Sequence, residues 1–184
     1  MDRGAESYRH YLDGDNDGLK EIVETYFDGL MLYLNLFVRN LSEAEELAEE
    51  TLFQLVSKKP GFSGRSTFKT WLYAIGRNVT LRYIRRRNRE AELLSGYNPE
   101  ASAEEDAEQK LLLQERDRIL YRAMGKLKKD YRQVLWLRYF EKMDERSIAT
   151  IMKKSVHSIE HLHRRAKEAL REELRKEGFS YEES

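Results

Sequence analysis

Apolar residues recur at three- and four-residue steps along most of this chain, the period of helices that pack by one face. From Leu19, the positions Ile22, Val23, Tyr26, Phe27, Leu30, Tyr33, Leu34, Phe37 and Val38 mark one long amphipathic helix. Residues 4–13 form a short helix before it, and Gly14-Asp15-Asn16-Asp17-Gly18 separates the two. Ser42 followed by Glu45 has the form of a capping box. The helix it opens, over 43–57, buries Ala44, Leu47, Ala48, Thr51, Leu52 and Leu55, and Lys58-Lys59-Pro60-Gly61 ends it. Phe62-Ser63-Gly64-Arg65-Ser66 is a loop. A helix over 67–88 then carries Phe68, Trp71, Leu72, Ile75, Val79 and Tyr83 on one face.

The pattern lapses between 90 and 107, where Gly96, Pro99 and small polar residues predict a flexible linker. Periodicity returns over 108–125, with Leu112, Leu113, Arg116, Ile119, Leu120 and Ala123 on one stripe. Helices near 129–141, 144–152 and 155–176 follow, and Gly178 stops the last. The expected fold class is all-α. Two small helical domains, 1–89 and 108–178, are joined by the linker 90–107 and followed by a tail, 179–184.

The end of the second domain has the pattern of a helix-turn-helix. Asp144 caps a short helix that buries Ile148, Ala149 and Met152, and small Ala149 admits a close crossing. Lys153-Lys154 forms the turn and Ser155 caps the final helix, whose buried stripe is Val156, Ile159, Leu162, Ala166 and Leu170. His157, Ser158, Glu160, His161, Arg164, Arg165 and Lys167 face outwards. Small and polar groups for base edges, followed by cations for phosphates, are what a recognition helix requires. In the first domain, Lys69, Tyr73, Arg77, Asn78, Arg82, Arg85 and Arg86 lie off the apolar stripe of helix 67–88. Cations interleaved with an aromatic ring and an amide suit single-stranded nucleic acid. Helix 43–57 is the opposite: Glu43, Glu45, Glu46, Glu49 and Glu50 repel phosphate and suit a protein partner with a basic surface.

Charge changes this picture only through its distribution. Lys and Arg total 33, Asp and Glu total 33, and a net charge of +0 argues against a nucleic-acid binder. Yet residues 82–89 hold five arginines, while 90–109 hold Glu90, Glu92, Glu100, Glu104, Glu105, Asp106 and Glu108 with no base. Screening confines such fields to about 10 Å, so segregation outweighs the sum. With no cysteine there is no disulfide framework or zinc-thiolate site, which suits a reducing cytoplasm. The N-terminus lacks the apolar core of a signal peptide. The run from Leu30 to Val38 falls far short of the ~20 residues that span a bilayer. A cytoplasmic protein without membrane insertion is expected.

Two segments carry a family resemblance. The stretch from Ser42 to Phe53, followed by Phe62 to Asn78 with its Thr67-Phe68-Lys69-Thr70-Trp71-Leu72 core, resembles the second conserved region of sigma factors of the extracytoplasmic-function type. Leu127 to Tyr139, Ile148-Ala149, Ser155 to Glu160 and Arg165-Ala166 resemble their fourth region. The resemblance implies that domain 1–89 grips the clamp coiled coil of core RNA polymerase through Glu43, Glu45, Glu46, Glu49 and Glu50. It implies that residues matching 58–86 open and read the −10 promoter element. Lys58, Phe62, Ser63 and Asn78 would form a pocket there, with Tyr73 on the same surface and Arg77, Arg82, Arg85 and Arg86 on phosphates. It implies that domain 108–178 reads the −35 element as duplex DNA through Lys154, Ser155, His157, Ser158, Glu160, His161, Arg164 and Arg165, and touches the polymerase flap. An anti-sigma factor is a further implied partner.

On this reading the chain is not an enzyme and needs no cofactor or metal. One alternative is a free-standing helix-turn-helix regulator that never meets polymerase, against which the acidic helix argues. Another is a zinc hydrolase built on His157 and His161, four residues apart. Ser158 stands where a zinc-protease motif needs Glu, and no third ligand is evident.

Overall fold

In the computed structural model, which describes residues 2–95 and 115–176, every regular element among those residues is helical. The chain divides into two units, Met1–Glu105 and Asp106–Ser184.

In the first unit, α1 (Arg3–Leu12), α2 (Asn16–Val38), α3 (Leu41–Lys58) and α4 (Phe68–Ser95) pack around α2. Ile22, Leu30, Tyr33, Leu34, Leu55, Phe68 and Leu72 are fully buried between them. Gly18 lets α1 approach α2, since a Cβ there would stand 2.2 Å from the Ser7 carbonyl oxygen. Asp2 caps α1 and Asp15 caps α2, each accepting a backbone N–H.

Helix α3 starts two residues earlier than the capping box predicts. Asn40, not Ser42, is its N-cap, and its side-chain oxygen accepts from Glu43 N at 2.9 Å. Asn40 wins because its extended backbone follows Arg39, which ends α2 in the left-handed conformation at φ 54°. That places Leu41 inside the helix, where it is buried.

Helix α4 differs from expectation in two ways. Its buried arc is rotated toward Tyr73, Gly76 and Thr80, because α4 packs against both α2 and α3. Tyr73 is therefore 1% exposed and stacks on Tyr33 at 5.4 Å, so it is a core residue and not part of any surface. The helix also continues to Ser95, so 90–95 are helical and not linker. Glu90 lies on Arg86 one turn back at 3.9 Å, and Ala91, Glu92 and Leu93 are strong helix formers. The rest of the expected linker, 96–107, lies outside the described residues, as do 108–114, Gly178 and the tail.

In the second unit, α5 (Glu115–Gly125), α6 (Lys129–Leu135), α7 (Glu145–Met152) and α8 (Val156–Lys176) enclose a core of Ala123, Met124, Leu135, Trp136, Leu137, Ile148, Ile151 and Ile159. The expected helix 129–141 changes character partway. After α6 the backbone widens to a π-helical segment, Trp136–Phe140. Trp136 and Phe140 then stack at 4.2 Å with rings 6° from parallel, and Trp136 Nε1 donates to Glu141 Oε1.

The reassigned cap has a measurable consequence. Asn40→Ala should destabilise the first unit by about 1 kcal/mol, the usual loss of an N-cap acceptor. Ser42→Ala should stay within about 0.5 kcal/mol, as for a surface site. Urea unfolding of both variants checks this, and the opposite ranking would restore Ser42 as the cap.

Candidate nucleic-acid and protein interfaces

On α3, burial of Ala44, Leu47, Ala48, Thr51 and Leu55 turns the acids outwards. Glu45, Glu46, Glu49 and Glu50 are exposed. Glu43 is not part of this free face: its Oε2 accepts from Arg87 Nη1 on α4 at 2.8 Å. Tyr83 shares this contact, with the Arg87 guanidinium 5.6 Å from its ring centroid. Burial foremost, then the Glu43 charge, raises the Tyr83 phenol above its ordinary value, with Arg87 opposing. Phe53, 60% exposed, and Val56 follow the acids on the same side of α3. The sequence pattern had not singled them out, though Glu46, Glu49, Glu50 and Phe53 keep the spacing of one helix face.

On α4, Arg82, Arg85 and Arg86 are exposed, while Arg77 and Asn78 are half-buried. Arg89 is exposed at the next position of the same stripe and belongs with them by its i+3, i+4 and i+7 spacing. Arg86 rests against Tyr83, 5.8 Å from the ring centroid.

The loop before α4 borders a cleft of 660 Å³ whose other wall is α1, from Asp2 to Leu12. Phe62 and Ser63 line this cleft, whereas Lys58, exposed at the end of α3, and Asn78 do not. Phe62 packs on Trp71 at 5.2 Å and edge-on to Phe68 at 5.8 Å. Trp71, expected in the core, is half-buried at the edge of this aromatic cluster. Tyr8 completes the cluster, and its hydroxyl donates to the Pro60 carbonyl at 2.8 Å. Burial pushes the Tyr8 phenol up to about 12. Neither Asp2 nor Arg9 carries a motif, so only the tertiary fold brings α1 to this loop.

In the second unit, Asp144 caps α7 by accepting from Ser147 N at 2.8 Å, which holds its carboxyl below the usual range. Lys153 makes the turn in the left-handed conformation at φ 54°. Ser155 caps α8: its Oγ accepts from Ser158 N at 3.1 Å and meets Ser158 Oγ at 2.8 Å. Val156 is 38% exposed and leaves the predicted buried stripe, since it sits in the first turn of α8, ahead of fully buried Ile159. Lys154 pairs with Asp130 of α6 at 3.2 Å, which ties the turn to the rest of the unit.

His157, Glu160, Arg164 and Arg165 are exposed and His161 is half-buried. Arg164 Nη2 lies 2.7 Å from His161 Nδ1, and His161 Nε2 lies 3.0 Å from His157 Nε2. A guanidinium can only donate, so His161 Nδ1 accepts. Neutral His161 then holds its proton on Nε2 and donates to His157. The result is a polar chain along the outer face of α8. Among the described residues, no group of three or more His, Cys, Asp or Glu side chains is placed to hold a metal ion. No helix among them is long and apolar enough to cross a membrane.

Comparison with known proteins accounts for both units. Residues 22–90 match the family model of Sigma-70 region 2, and residues 117–170 that of Sigma-70, region 4. The ECF RNA polymerase sigma factor SigW of Bacillus subtilis is 27% identical over 171 residues, covering 88% of this chain and 91% of SigW. The RNA polymerase sigma-H factor of Pseudomonas aeruginosa is 28% identical over 167 residues, covering 85% and 86%. The fold resembles the sigma factor RpoE of Bartonella quintana, solved in complex with the anti-sigma factor NepR. Their TM-score is 0.72 at 24% identity, over 87% of this chain and 98% of that one. It also resembles CnrH, solved in complex with the cytosolic domain of CnrY, at a TM-score of 0.64 and 20% identity.

One histidine supplies a pH test of the second unit. His163 Nε2 lies 3.2 Å from the Tyr139 hydroxyl, and burial, then Lys167 and Arg138, lowers its pKa from 6.5, with Glu145 opposing. A histidine lowered by folding binds fewer protons folded than unfolded. Its stabilising contribution is therefore complete above the ordinary histidine range and is lost as pH falls through that range to the lower folded value. Thermal melting between about pH 7.5 and 5 should show a shallower acid decline for His163→Gln. An unchanged slope would contradict the assignment.

Proposed function

This chain belongs to the sigma factors of the extracytoplasmic-function type, and from that premise we propose how its surfaces divide the work of promoter-specific transcription initiation. The observation that carries the reading is the separation of unlike surfaces: an acidic α3, a basic stripe on α4, and a capped helix-turn-helix in the second unit.

Exposed Glu45, Glu46, Glu49 and Glu50 meet a basic surface of core RNA polymerase, the clamp coiled coil, with Phe53 as the apolar centre of the contact. Aromatic side chains ringed by charge are the usual anatomy of such interfaces. Glu43 acts from within by holding Arg87. The loop 61–67 and α4 act on the −10 element. Phe62 and Ser63 receive an extruded base, Arg82, Arg85, Arg86 and Arg89 contact phosphates, and Arg77 and Asn78 lie at the edge of that surface. Lys58, beside the loop, contacts the strand and not the cleft. Unstacking a base costs a few kcal/mol, and stacking on an aromatic ring returns ~1–3 kcal/mol, so opening needs no fuel. The chain is a binding factor and not an enzyme, and the nucleotide chemistry is the polymerase's.

Helix α8 enters the major groove of the −35 element with His157, Ser158, Glu160 and His161 toward base edges. Lys154, Ser155, Arg164 and Arg165 flank them toward the backbone, and the same unit touches the flap. Both solved structures that this fold resembles are complexes with protein partners, one an anti-sigma factor. An anti-sigma partner for this chain and a cytoplasmic location follow on the same reading. A free-standing regulator has no use for the acidic face of α3.

Replacing Glu45, Glu46 and Glu49 by Lys tests the first assignment. Capture by core polymerase should fall at least tenfold, about 1.4 kcal/mol, while duplex binding through the second unit is kept. Normal capture by the triple variant would defeat it.

The recognition helix has its own test. A base contact discriminates by ~1–3 kcal/mol, whereas a phosphate contact strengthens all sequences alike and adds about one unit of salt slope. His161→Ala should relax preference at one or two base pairs. Arg165→Ala should weaken matched and scrambled sites equally, with a shallower salt dependence. An Arg165→Ala variant that melts early yet keeps the wild-type salt slope makes Arg165 structural, through Glu168 or Glu172.

A further inference from the structure

His157 and His161 stand one turn apart on the outer face of α8, and their Nε2 atoms are 3.0 Å apart. His157 has 79% of its side chain open to solvent, and His161 is half-buried. Two nitrogens bound to one ion at about 2.0–2.1 Å, with an angle of ~90–110° between them, are separated by roughly 3–3.4 Å. The pair stands at that spacing, and the exposed His157 ring has room to turn its lone pair toward a shared ion. Two histidines at this helical interval are also what zinc enzymes use to hold an ion from one helix face.

The neighbouring side chains fix where the protons lie. Arg164 Nη2 lies 2.7 Å from His161 Nδ1 and can only donate, so neutral His161 carries its proton on Nε2 and gives it to His157 Nε2. His157 Nε2 thus bears a lone pair. Its own proton sits on Nδ1, 3.9 Å from Glu160 Oε2. A metal-bound histidine has this form, with one nitrogen on the ion and the other N–H turned toward a carboxylate. His157 therefore has the tautomer of a ligand, whereas His161 has the other one. For His161 to bind, its Nε2 proton leaves to water, Nδ1 takes one from water, and Arg164 moves off Nδ1. The pair stays neutral, and no net proton is released.

We propose that His157 and His161 together hold one divalent transition ion of the class that imidazole suits, such as Ni²⁺ or Zn²⁺, with water in the remaining positions. Glu160 is a positioning residue behind His157. Arg164 opposes binding by holding His161 in the wrong tautomer. Two protein ligands make an open, reversible site, unlike the sets of three or four that hold catalytic and structural zinc. The same histidines belong to the surface assigned above to the −35 element, and the consequence for DNA rests on that reading. An occupied site withdraws the His161 Nε2–H donor from the groove, so ion binding and sequence readout exclude each other.

The test titrates Ni²⁺ into the full chain, untagged and freed of metal, and follows the heat of binding. One ion per chain should bind in a single saturable step. His157→Ala and His161→Ala should each weaken it at least tenfold, and His163→Gln should leave it unchanged. Glu160→Gln should weaken it a few-fold. Arg164→Ala should tighten it, a sign that loss of helix structure would not produce, and circular dichroism checks that each variant is folded. In parallel, saturating Ni²⁺ should lower the ratio of matched to scrambled duplex affinity of the wild-type chain about fivefold or more, the lower end of one base contact. Mg²⁺, which prefers oxygen ligands, should not. Absence of a saturable step, or equal Ni²⁺ binding by a folded chain carrying both His157→Ala and His161→Ala, overturns the proposal. Saturable binding that leaves the duplex ratio unchanged upholds the ion site and overturns the assignment of these histidines to base edges.

Discussion

Opposite charges on this chain are equal in number, 33 of each, and the division of labour proposed here requires that they be kept apart. On the roles proposed above, a basic stripe for phosphate and an acidic face for a basic protein would cancel if they met freely. Helical packing prevents this. Burial of Leu47, Ala48, Thr51 and Leu55 turns the glutamates of α3 one way, and burial of Leu72, Tyr73, Val79 and Thr80 turns the arginines of α4 another. The two helices, though not these two faces, meet at a seam where Glu43 and Arg87 pair at 2.8 Å beside Tyr83. A half-buried pair of this kind joins the helices, and removing one partner strands the other in a partly dry setting. Away from that seam, screening over about 10 Å keeps each field local.

The second unit solves a different problem, how to hold one helix at a fixed angle on a small core. Asp144 and Ser155 cap α7 and α8, Lys153 turns the chain between them, and Lys154 ties that turn to Asp130. The widened turn at Trp136–Phe140 stacks two aromatic rings and brings Trp136 Nε1 to Glu141. None of this uses the outer face of α8. That face is left with the polar chain from Arg164 through His161 to His157.

Much of the fold was legible because it rests on periodicity. The long second helix, the buried stripe of α3 and the caps at Asp144 and Ser155 are local patterns, and each forms, though the helix begins at Asn16 and not Leu19 because Asp15 caps it. The departures occur where two local solutions compete or where a distant element decides. Ser42 and Asn40 can both cap, and only the left-handed Arg39 before Asn40 chooses between them. Tyr73 reads as a surface aromatic if α4 packs by one stripe, but α4 packs against two helices and Tyr73 meets Tyr33. The family resemblance pointed to Phe62 and Ser63 together with Lys58 and Asn78, and only the first two line the cleft. Asp2 and Arg9 were not legible as cleft residues, because their partners stand some sixty residues later in the sequence.

The central claim is that these surfaces act together, in one chain, to bring core polymerase to a promoter and open it. Run-off transcription on genomic fragments with purified core polymerase tests it most directly. With the chain present, transcripts should start at a defined set of sites that share an upstream and a downstream element, and without it those starts should be absent. An unchanged transcript pattern, together with tight binding of duplex DNA by the chain alone as a dimer, would contradict the account and favour a free-standing regulator.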